Sequence, residues 1–222
     1  MEAMARLSVI IPTHRRPQAL GLCLQHLQKQ TVASDLEVIV IADSHDEQTA
    51  SIIEQSTSPL AVRYQEIPPC HQGTARNRGV ELAAGDYCLF IGDDILLQPD
   101  ACQRHLDAHA RLATDAAVLG YVTWDPAVGI TPAMRWLEQS GWQFAYPSIA
   151  RYKQQYLPPA IQDLYTYTSH ISLPVAVAGA HCFREDVSLY GWEDTEWGQR
   201  LRQSGVPLYY EPDASALHHH YL

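Results

Sequence analysis

Apolar and polar residues alternate in two rhythms along the first half of the chain. Short apolar runs predict buried strands, and longer segments with apolar residues every three or four positions predict helices. The predicted strands are Leu7–Ile11, Leu36–Ile41, Ala61–Gln65, Asp86–Ile91 and Ala116–Thr123. The predicted helices are Pro17–Gln30, Glu47–Ser56, Thr74–Ala84 and Pro99–Leu112. Regular alternation of this kind predicts an α/β fold with a mostly parallel central sheet flanked by helices.

The alternation stops at Trp124, where a segment rich in Trp, Tyr and Pro extends to about Ser172. We interpret most of its rings as the packing of a helical insertion over the sheet. Rings bordering a cleft would instead stack on sugar faces, and the sequence leaves both options open. Beyond this segment the pattern predicts one helix and three strands: Asp194–Gln203, and Val175–Phe183, Pro207–Tyr210 and Ala214–His218.

Composition narrows the classes of function. The length of 222 residues suits a single domain, and 46% apolar with 18% charged residues supports a globular core. The net charge of −10 and the lack of a dense Lys/Arg cluster argue against a nucleic-acid partner. The five cysteines form no CxxC pair, which favours free thiols in a reducing compartment. No apolar run approaches the roughly 20 residues of a membrane span, so we expect a cytoplasmic protein.

Two adjacent carboxylates, Asp93 and Asp94, closely follow the apolar run that ends at Ile91. The carboxyl ends of strands in an open α/β sheet form the edge where ligands bind. Neighbouring carboxylates repel each other unless a cation or a proton lies between them. The pair therefore predicts a divalent-metal site and, beside it, a phosphorylated substrate.

Polar residues near other strand ends and helix starts are candidates for the same site. A turn after the first strand leads into a helix N-terminus, which suits an anion. Asp43 follows the second strand, where an acidic residue commonly binds a base or ribose. Arg76 lies on the first turns of a helix that leads to the strand before Asp93. For each position an ordinary loop, cap or surface charge is the alternative.

The end of the chain holds two further candidate groups. Glu193 and Asp194 begin a predicted helix, where acidic residues favour the helix dipole, but a carboxylate there could also act as a general base. His218 and His220 lie on one face of a strand by its period of two. Their imidazoles could complete a metal site begun by Asp94, and a structural role is the alternative.

In this order the residues resemble the family-two glycosyltransferases, which have the GT-A fold. Each matching motif is weakly specific alone, and their order from residue 8 to residue 220 carries the resemblance. The matching positions are Ser8 to Thr13, Asp43, Gly73, Ala75 to Gly79, Asp93, Asp94, Gly191 to Asp194, Trp197, Arg200, Leu201 and His218.

The resemblance implies a role for each candidate residue. Asp94, His218 and His220 would hold Mn²⁺ or Mg²⁺, and Asp194 would be the catalytic base, assisted by Glu193. The implied nucleotide-binding residues are Pro12, Thr13, His14, Arg15, Asp43, Arg76 and Asp93. The implied acceptor-binding residues are Trp192, Glu193 and His181. Residues 1–123 would form the nucleotide-sugar-binding half, and residues 124–222 the acceptor-binding half with its aromatic-rich insertion.

The implied activity is inverting, metal-dependent transfer of a sugar from a nucleoside-diphosphate donor, commonly a UDP-sugar. The acceptor hydroxyl would belong to a carbohydrate, a lipid-linked compound or a small molecule, with peripheral contact to the inner face of the membrane as an option. A nucleotidyltransferase and a non-catalytic nucleotide-sugar-binding protein are the alternatives. The first would require a Gly-rich basic loop after the first strand, and His14-Arg15-Arg16 contains no glycine.

Three positions depart from the family pattern. Gly92 stands where the first Asp of the DxD motif is usual, and His181 stands where Asn is expected. The chain ends at Leu222, without the membrane segments of many relatives. We therefore expect a single-addition enzyme or a truncated chain, and we expect Asp94 to provide most of the metal contact.

Overall fold

A computed structural model describes residues 6–55, 60–187 and 191–220. Its strands are β1 (Leu7–Thr13), β2 (Leu36–Ala42), β3 (Ala61–Glu66), β4 (Tyr87–Ile91), β5 (Ile95–Leu97), β6 (Ala117–Trp124), β7 (Gln155–Tyr156), β8 (His170–Pro174) and β9 (Leu208–His218). Its α-helices are α1 (Pro17–Gln28), α2 (Glu47–Gln55), α3 (Gln72–Leu82), α4 (Ala101–Arg111), α5 (Pro132–Ser140), α6 (Tyr146–Ile149), α7 (Val175–Ala180) and α8 (Trp192–Gln203).

One sheet contains all nine strands of the described residues, and the predicted α/β class is confirmed. The order is β3-β2-β1-β4-β8-β6-β9-β5, with β7 also paired to β9. Strands β1 to β4 pair in parallel, as the first half of the sequence predicts. The rest of the sheet is mixed, because β8 runs antiparallel to β4 and β6 while β9 runs parallel to β6.

Continuous apolar runs form the centre of the sheet because helices cover both of its faces. Val9, Ile10 and Ile11 are fully buried on β1, as are Leu89, Phe90 and Ile91 on β4, and they belong to one core that extends to β9. None of the helices in the described part of the chain has the length and apolar character that a bilayer crossing requires.

A crevice begins where β1 and β4 end side by side. The chain leaves β1 toward β2 and β3 on one side and returns to β4 on the other. Connections that diverge in this way leave room for a ligand beyond the carboxyl ends of the two strands. The Thr13 hydroxyl, at the end of β1, donates a hydrogen bond of 2.7 Å to Asp93 Oδ2, after β4.

Several predicted elements differ from the structure. The strand predicted over Val175–Phe183 is wrong: its first part is the helix α7, and the preceding residues His170–Pro174 form the strand. Alternating Val and Ala suggested a strand, but Ala is the best helix former. The two strands predicted at the end of the chain are one strand, β9. Strand β5 was not predicted, because three residues show no periodicity. The predicted end of α2 at Ser56 lies outside the described residues.

A cluster of buried histidines connects α4 to β8, a strand of the sheet. The Ser172 hydroxyl lies 2.8 Å from His105 Nδ1 and 2.8 Å from His109 Nε2. His105 Nε2 lies 3.0 Å from His170 Nε2, a hydrogen bond that requires one ring to donate and the other to accept. Burial lowers the pKa of His105 and lowers the pKa of His109 and of His170 to about 4.

Acid should therefore destabilise the fold. The unfolded chain takes up protons at these histidines near pH 6.5, while the folded chain resists protonation down to about pH 4. The contribution of these histidines to the free energy of unfolding is fully present above pH 6.5 and is lost as the pH drops from 6.5 toward 4. The loss is about 2 kcal/mol at pH 5 for one such histidine. Urea unfolding at pH 7.5, 6 and 5 measures the loss. His109→Gln should reduce the pH dependence, whereas the exposed His71→Gln should leave it unchanged, and equal slopes for both variants would contradict the assignment.

Candidate functional site

A large cleft opens at the carboxyl ends of β1 and β4. Its walls are the turn before α1, the N-terminal part of α3, the β4–β5 turn, the residues before β8, the start of α8 and the residues around the end of β9. The predicted site residues that line it are Pro12, Thr13, His14, Asp43, Arg76, Asp93, Asp94, Glu193, His218 and His220.

The two adjacent carboxylates share one guanidinium. Arg16 Nη1 lies 2.7 Å from Asp93 Oδ1, and Arg16 Nη2 lies 2.8 Å from Asp94 Oδ2. Arg15 was the predicted residue, but it lies outside the lining of the cleft, and its φ of 50° is in the left-handed region. That turn brings the next residue, Arg16, to the cleft. The sequence signal for Arg16 is its place at the N-terminus of α1, directly before Pro17.

Burial and charge separate the two carboxyl groups. Burial raises the pKa of Asp93 to about 6, although Arg16 and the Thr13 hydroxyl oppose the shift. Burial alone would raise the pKa of Asp94 as well, but its interaction with His218 and the charge of Arg16 bring that pKa below its usual value. Asp94 is therefore the more firmly ionised of the two groups, as a metal ligand must be.

Three side chains around Asp94 form a set of candidate metal ligands. One ligand atom from each of Asp94, His218 and His220 lies within 4.8 Å of the others. His218 Nε2 and His220 Nδ1 each lie 3.4 Å from Asp94 Oδ2. One carboxylate oxygen with two imidazole nitrogens suits a divalent first-row ion such as Mn²⁺. The residues present therefore fit Mn²⁺, one of the two predicted metals, better than Mg²⁺, which prefers oxygen ligands.

Strand pairing brings these ligands together across 124 positions of sequence. Ile95 on β5 is paired with His218 on β9. The His219 N–H donates a hydrogen bond of 2.8 Å to the Asp94 carbonyl. The His218 ring also stacks on Trp124, with ring centroids 5.2 Å apart and planes 9° apart. Backbone pairing and ring stacking thus fix His218 beside Asp94 from two sides.

Arg76 is a buried cation at the opposite wall of the cleft. Only 4% of it is exposed, and α3 carries it close to the sheet. Gly79 permits this approach, because a Cβ there would lie 2.3 Å from Ile10 Cγ2. Arg76 Nη2 donates to Gln72 Oε1 at 3.0 Å, while Nε and Nη1 have no hydrogen-bond partner. Arg76 also lines the cleft, and a guanidinium in that position can bind an anionic ligand.

A second polar group lies near Arg76 where β2 ends. His14 Nδ1 lies 2.5 Å from Asp43 Oδ1, and both side chains line the cleft. His71 and Gln72, at the start of α3, continue the same wall. Donors and acceptors of this kind suit the hydrogen-bonding edges of a nucleoside.

The carboxylates at the start of α8 have different surroundings. Glu193 lines the cleft, and its Oε1 lies 3.6 Å from Arg76 Nη1. Asp194 lies behind the lining and accepts two hydrogen bonds from Thr168, 2.7 Å from the hydroxyl and 3.0 Å from the backbone N–H. Burial raises the pKa of Asp194, against the charge of Arg76 and these hydrogen bonds.

Two predicted acceptor-binding residues lie outside the lining of the cleft. Trp192 is 63% exposed, and the His181 carbonyl accepts a hydrogen bond of 2.6 Å from Trp197 Nε1. Sequence reasoning did not assign Thr168 to the site, although it lines the cleft and holds Asp194. Its only sequence signal is a position two residues before a strand.

Residues 8–172 match the family model described as glycosyl transferase family 2. The chain belongs to this family. Validoxylamine A glucosyltransferase from Streptomyces hygroscopicus subsp. jinggangensis is 30% identical over 229 residues, which cover 91% of this chain and 52% of the relative. A PGL/p-HBAD biosynthesis glycosyltransferase from Mycobacterium tuberculosis is 34% identical over 100 residues, 44% of this chain and 39% of the relative. The chain spans about half the length of the curated relatives that match it over most of its residues.

Solved structures confirm the GT-A type of fold. TarS from S. aureus superposes with a TM-score of 0.72 at 16% identity, over 95% of this chain and 59% of that one. The mannosyltransferase PcManGT from Pyrobaculum calidifontis, in complex with GDP-Man and Mn²⁺, superposes with a TM-score of 0.69 at 19% identity, over 98% of this chain and 57% of that one.

Proposed function

We propose that this chain transfers a sugar from a nucleoside-diphosphate donor, a UDP-sugar, to an acceptor hydroxyl with inversion at the anomeric carbon. One observation carries the proposal: a single cleft contains both the Asp94–His218–His220 ligand set and the buried guanidinium of Arg76. A diphosphate satisfies both at once, since it takes hydrogen bonds from a guanidinium and binds a divalent cation. Family membership and the relatives' names support a glycosyltransferase.

Asp94, His218 and His220 would hold Mn²⁺ or Mg²⁺ in this proposal. When bound, the cation stabilises the negative charge that develops on the departing nucleoside diphosphate. Arg76 donates to the diphosphate. Asp43 and His14 bind the nucleoside at the end of β2, beside Pro12 and Thr13. Asp93, held by Thr13 and Arg16, orients the ribose or the donor sugar.

The proton of the acceptor hydroxyl passes to the carboxylates at the start of α8. We assign Asp194 as the base, because burial raises its pKa in the direction that favours proton transfer at neutral pH. Its side chain has to leave Thr168 to reach the hydroxyl. Glu193, which already faces the cleft, holds the acceptor. No second carboxylate is needed as an acid, since the leaving group departs as an anion.

Two further properties belong to this proposal. All five cysteines are free thiols, which favours a cytoplasmic location. A structure of TarS contains UDP-GlcNAc and that of PcManGT contains GDP-Man with Mn²⁺, which supports nucleoside diphosphate sugars as the donor class. The acceptor is a carbohydrate, a lipid-linked compound or a small molecule.

A thermal-shift screen tests the donor and the metal together. UDP-glucose, UDP-N-acetylglucosamine, GDP-mannose and dTDP-glucose are each added with and without Mn²⁺. At about 100 times its dissociation constant a ligand stabilises the folded chain by about 2.7 kcal/mol, which raises the melting temperature by about 5 to 10 °C. We expect a UDP-sugar to give this shift only with Mn²⁺. Equal melting temperatures for all samples would contradict the proposal, and a larger shift with GDP-mannose would correct the nucleotide.

A further inference from the structure

A second cavity lies beside the cleft between β6, α5 and α6. We call it the aromatic cavity, because its lining includes Tyr121, Trp124, Phe144, Tyr146 and Tyr210. Gln143, Phe144 and His218 line both the aromatic cavity and the cleft, so the two spaces are neighbours on either side of a candidate metal ligand.

The charge in the lining of the aromatic cavity is negative. Glu138 on α5 lines it, and the Thr123 hydroxyl donates a short hydrogen bond to the Glu138 carboxylate from β6. Among the described lining residues there is no Lys or Arg. A carboxylate without a cationic partner repels phosphate groups and accepts hydrogen bonds from hydroxyl or ammonium groups.

Two residues of the lining each have a buried polar atom without a hydrogen-bond partner. Tyr146 is 4% exposed, and its hydroxyl lies near the Val122 backbone without a hydrogen bond of normal geometry. His218 Nδ1 is also buried and unpaired, although Nε2 of the same ring faces Asp94. Neither atom has a surface open to the cavity, so both stay behind the rings that form its wall.

We propose that the aromatic cavity binds the ring of the acceptor while its reacting hydroxyl reaches into the neighbouring cleft toward Glu193, and that the acceptor is a cyclic polyol that is either uncharged or carries an amine, without a phosphate. This inference rests on the proposed transfer function and deepens it. The rings provide flat faces for a sugar or carbocycle. Glu138 provides the charged polar contact. The donor's diphosphate is excluded from this cavity by Glu138 and belongs at Arg76, in the cleft.

Acceptor kinetics with Glu138→Gln test the assignment, because Gln keeps the size of the side chain and can still accept from Thr123. Methyl glucoside, glucosamine and glucose 6-phosphate serve as probes. We expect transfer to the first two above the rate of donor hydrolysis and none to the phosphate. The variant should raise KM for glucosamine about tenfold, while KM for the donor and the rate of donor hydrolysis stay within twofold. Glu54→Gln, at an exposed position on α2, is the matched control.

Other outcomes separate the two proposals. A preference for glucose 6-phosphate, or a Glu138→Gln variant that raises the donor KM instead, would overturn the assignment of the aromatic cavity. A chain that releases no nucleoside diphosphate from any donor would contradict the transfer function. Calorimetric titration without donor then tests the cavity alone: glucosamine should bind about tenfold more weakly to Glu138→Gln than to the natural chain, and equal binding to both would overturn the inference.

Discussion

Asp94→Asn should lower the turnover of a nucleotide sugar about 100-fold or more and abolish the effect of Mn²⁺ on donor binding. Asp94 Oδ2 is the atom that both imidazoles approach, at 3.4 Å each. An amide oxygen carries no charge, so the substitution removes the anionic ligand and leaves His218 and His220 as a weak neutral pair. Donor binding depends on the cation that the Asp94 charge would hold. Without that cation, the diphosphate is repelled by the acidic groups of the cleft.

The measurement is calorimetric titration of Mn²⁺ and of UDP, each in the presence and absence of the other. In the natural chain each should strengthen the binding of the other by the same factor, since linkage is reciprocal. In Asp94→Asn the two titrations should become independent. Asp115→Asn, an exposed carboxylate before β6, is the matched control. Unchanged Mn²⁺ affinity in folded Asp94→Asn would place the metal elsewhere.

Arg16 changes the interpretation of the acidic pair. The sequence indicates that Asp93 and Asp94 need a cation between them, and a metal is the obvious candidate. In the structure the guanidinium of Arg16 already bridges the two groups. A divalent cation held by Asp94 would therefore have to share this carboxylate with Arg16 or displace it. Release of Arg16 toward the diphosphate would add a second cation to the donor site.

The first half of the fold follows from sequence because its strands and helices alternate in separate, strongly periodic segments. The carboxyl ends of β1, β2 and β4 must then meet at one edge, which accounts for Thr13, Asp43 and Asp93. The second half does not follow in this way. Its strands pair in both directions, and Val175–Ala180 forms a helix although its pattern suits a strand.

The finer arrangement of the site depends on local geometry that periodicity does not contain. Arg16 faces the carboxylates because Arg15 adopts a left-handed backbone conformation. His218 lies beside Asp94 because three-residue β5 fixes the register of β9. Thr168 holds Asp194 through a contact across 26 positions. Residue type and spacing select candidates for the site, whereas turns and strand register decide which of them face the ligand.

The two carboxylates of α8 should respond differently to neutralisation. Asp194→Asn should lower kcat about 1000-fold with donor binding unchanged, because the amide cannot accept the proton of the acceptor. Glu193→Gln should act mainly on acceptor KM, since its carboxylate faces the cleft without taking the proton. Glu196→Gln, on the same helix and paired with Arg200, is the matched control and should change neither constant more than twofold.

The pH profile gives the comparison its second readout. A base works only when deprotonated, so kcat/KM falls as the pH drops below the pKa of the base. Burial raises the pKa of Asp194, so this fall should begin above the range of an ordinary aspartate, and Asp194→Asn should lack it. The opposite result is equally informative. If Glu193→Gln removes the acid limb and most of kcat while Asp194→Asn chiefly lowers the melting temperature, then Glu193 is the base. In that case Asp194 acts by anchoring the start of α8 to Thr168.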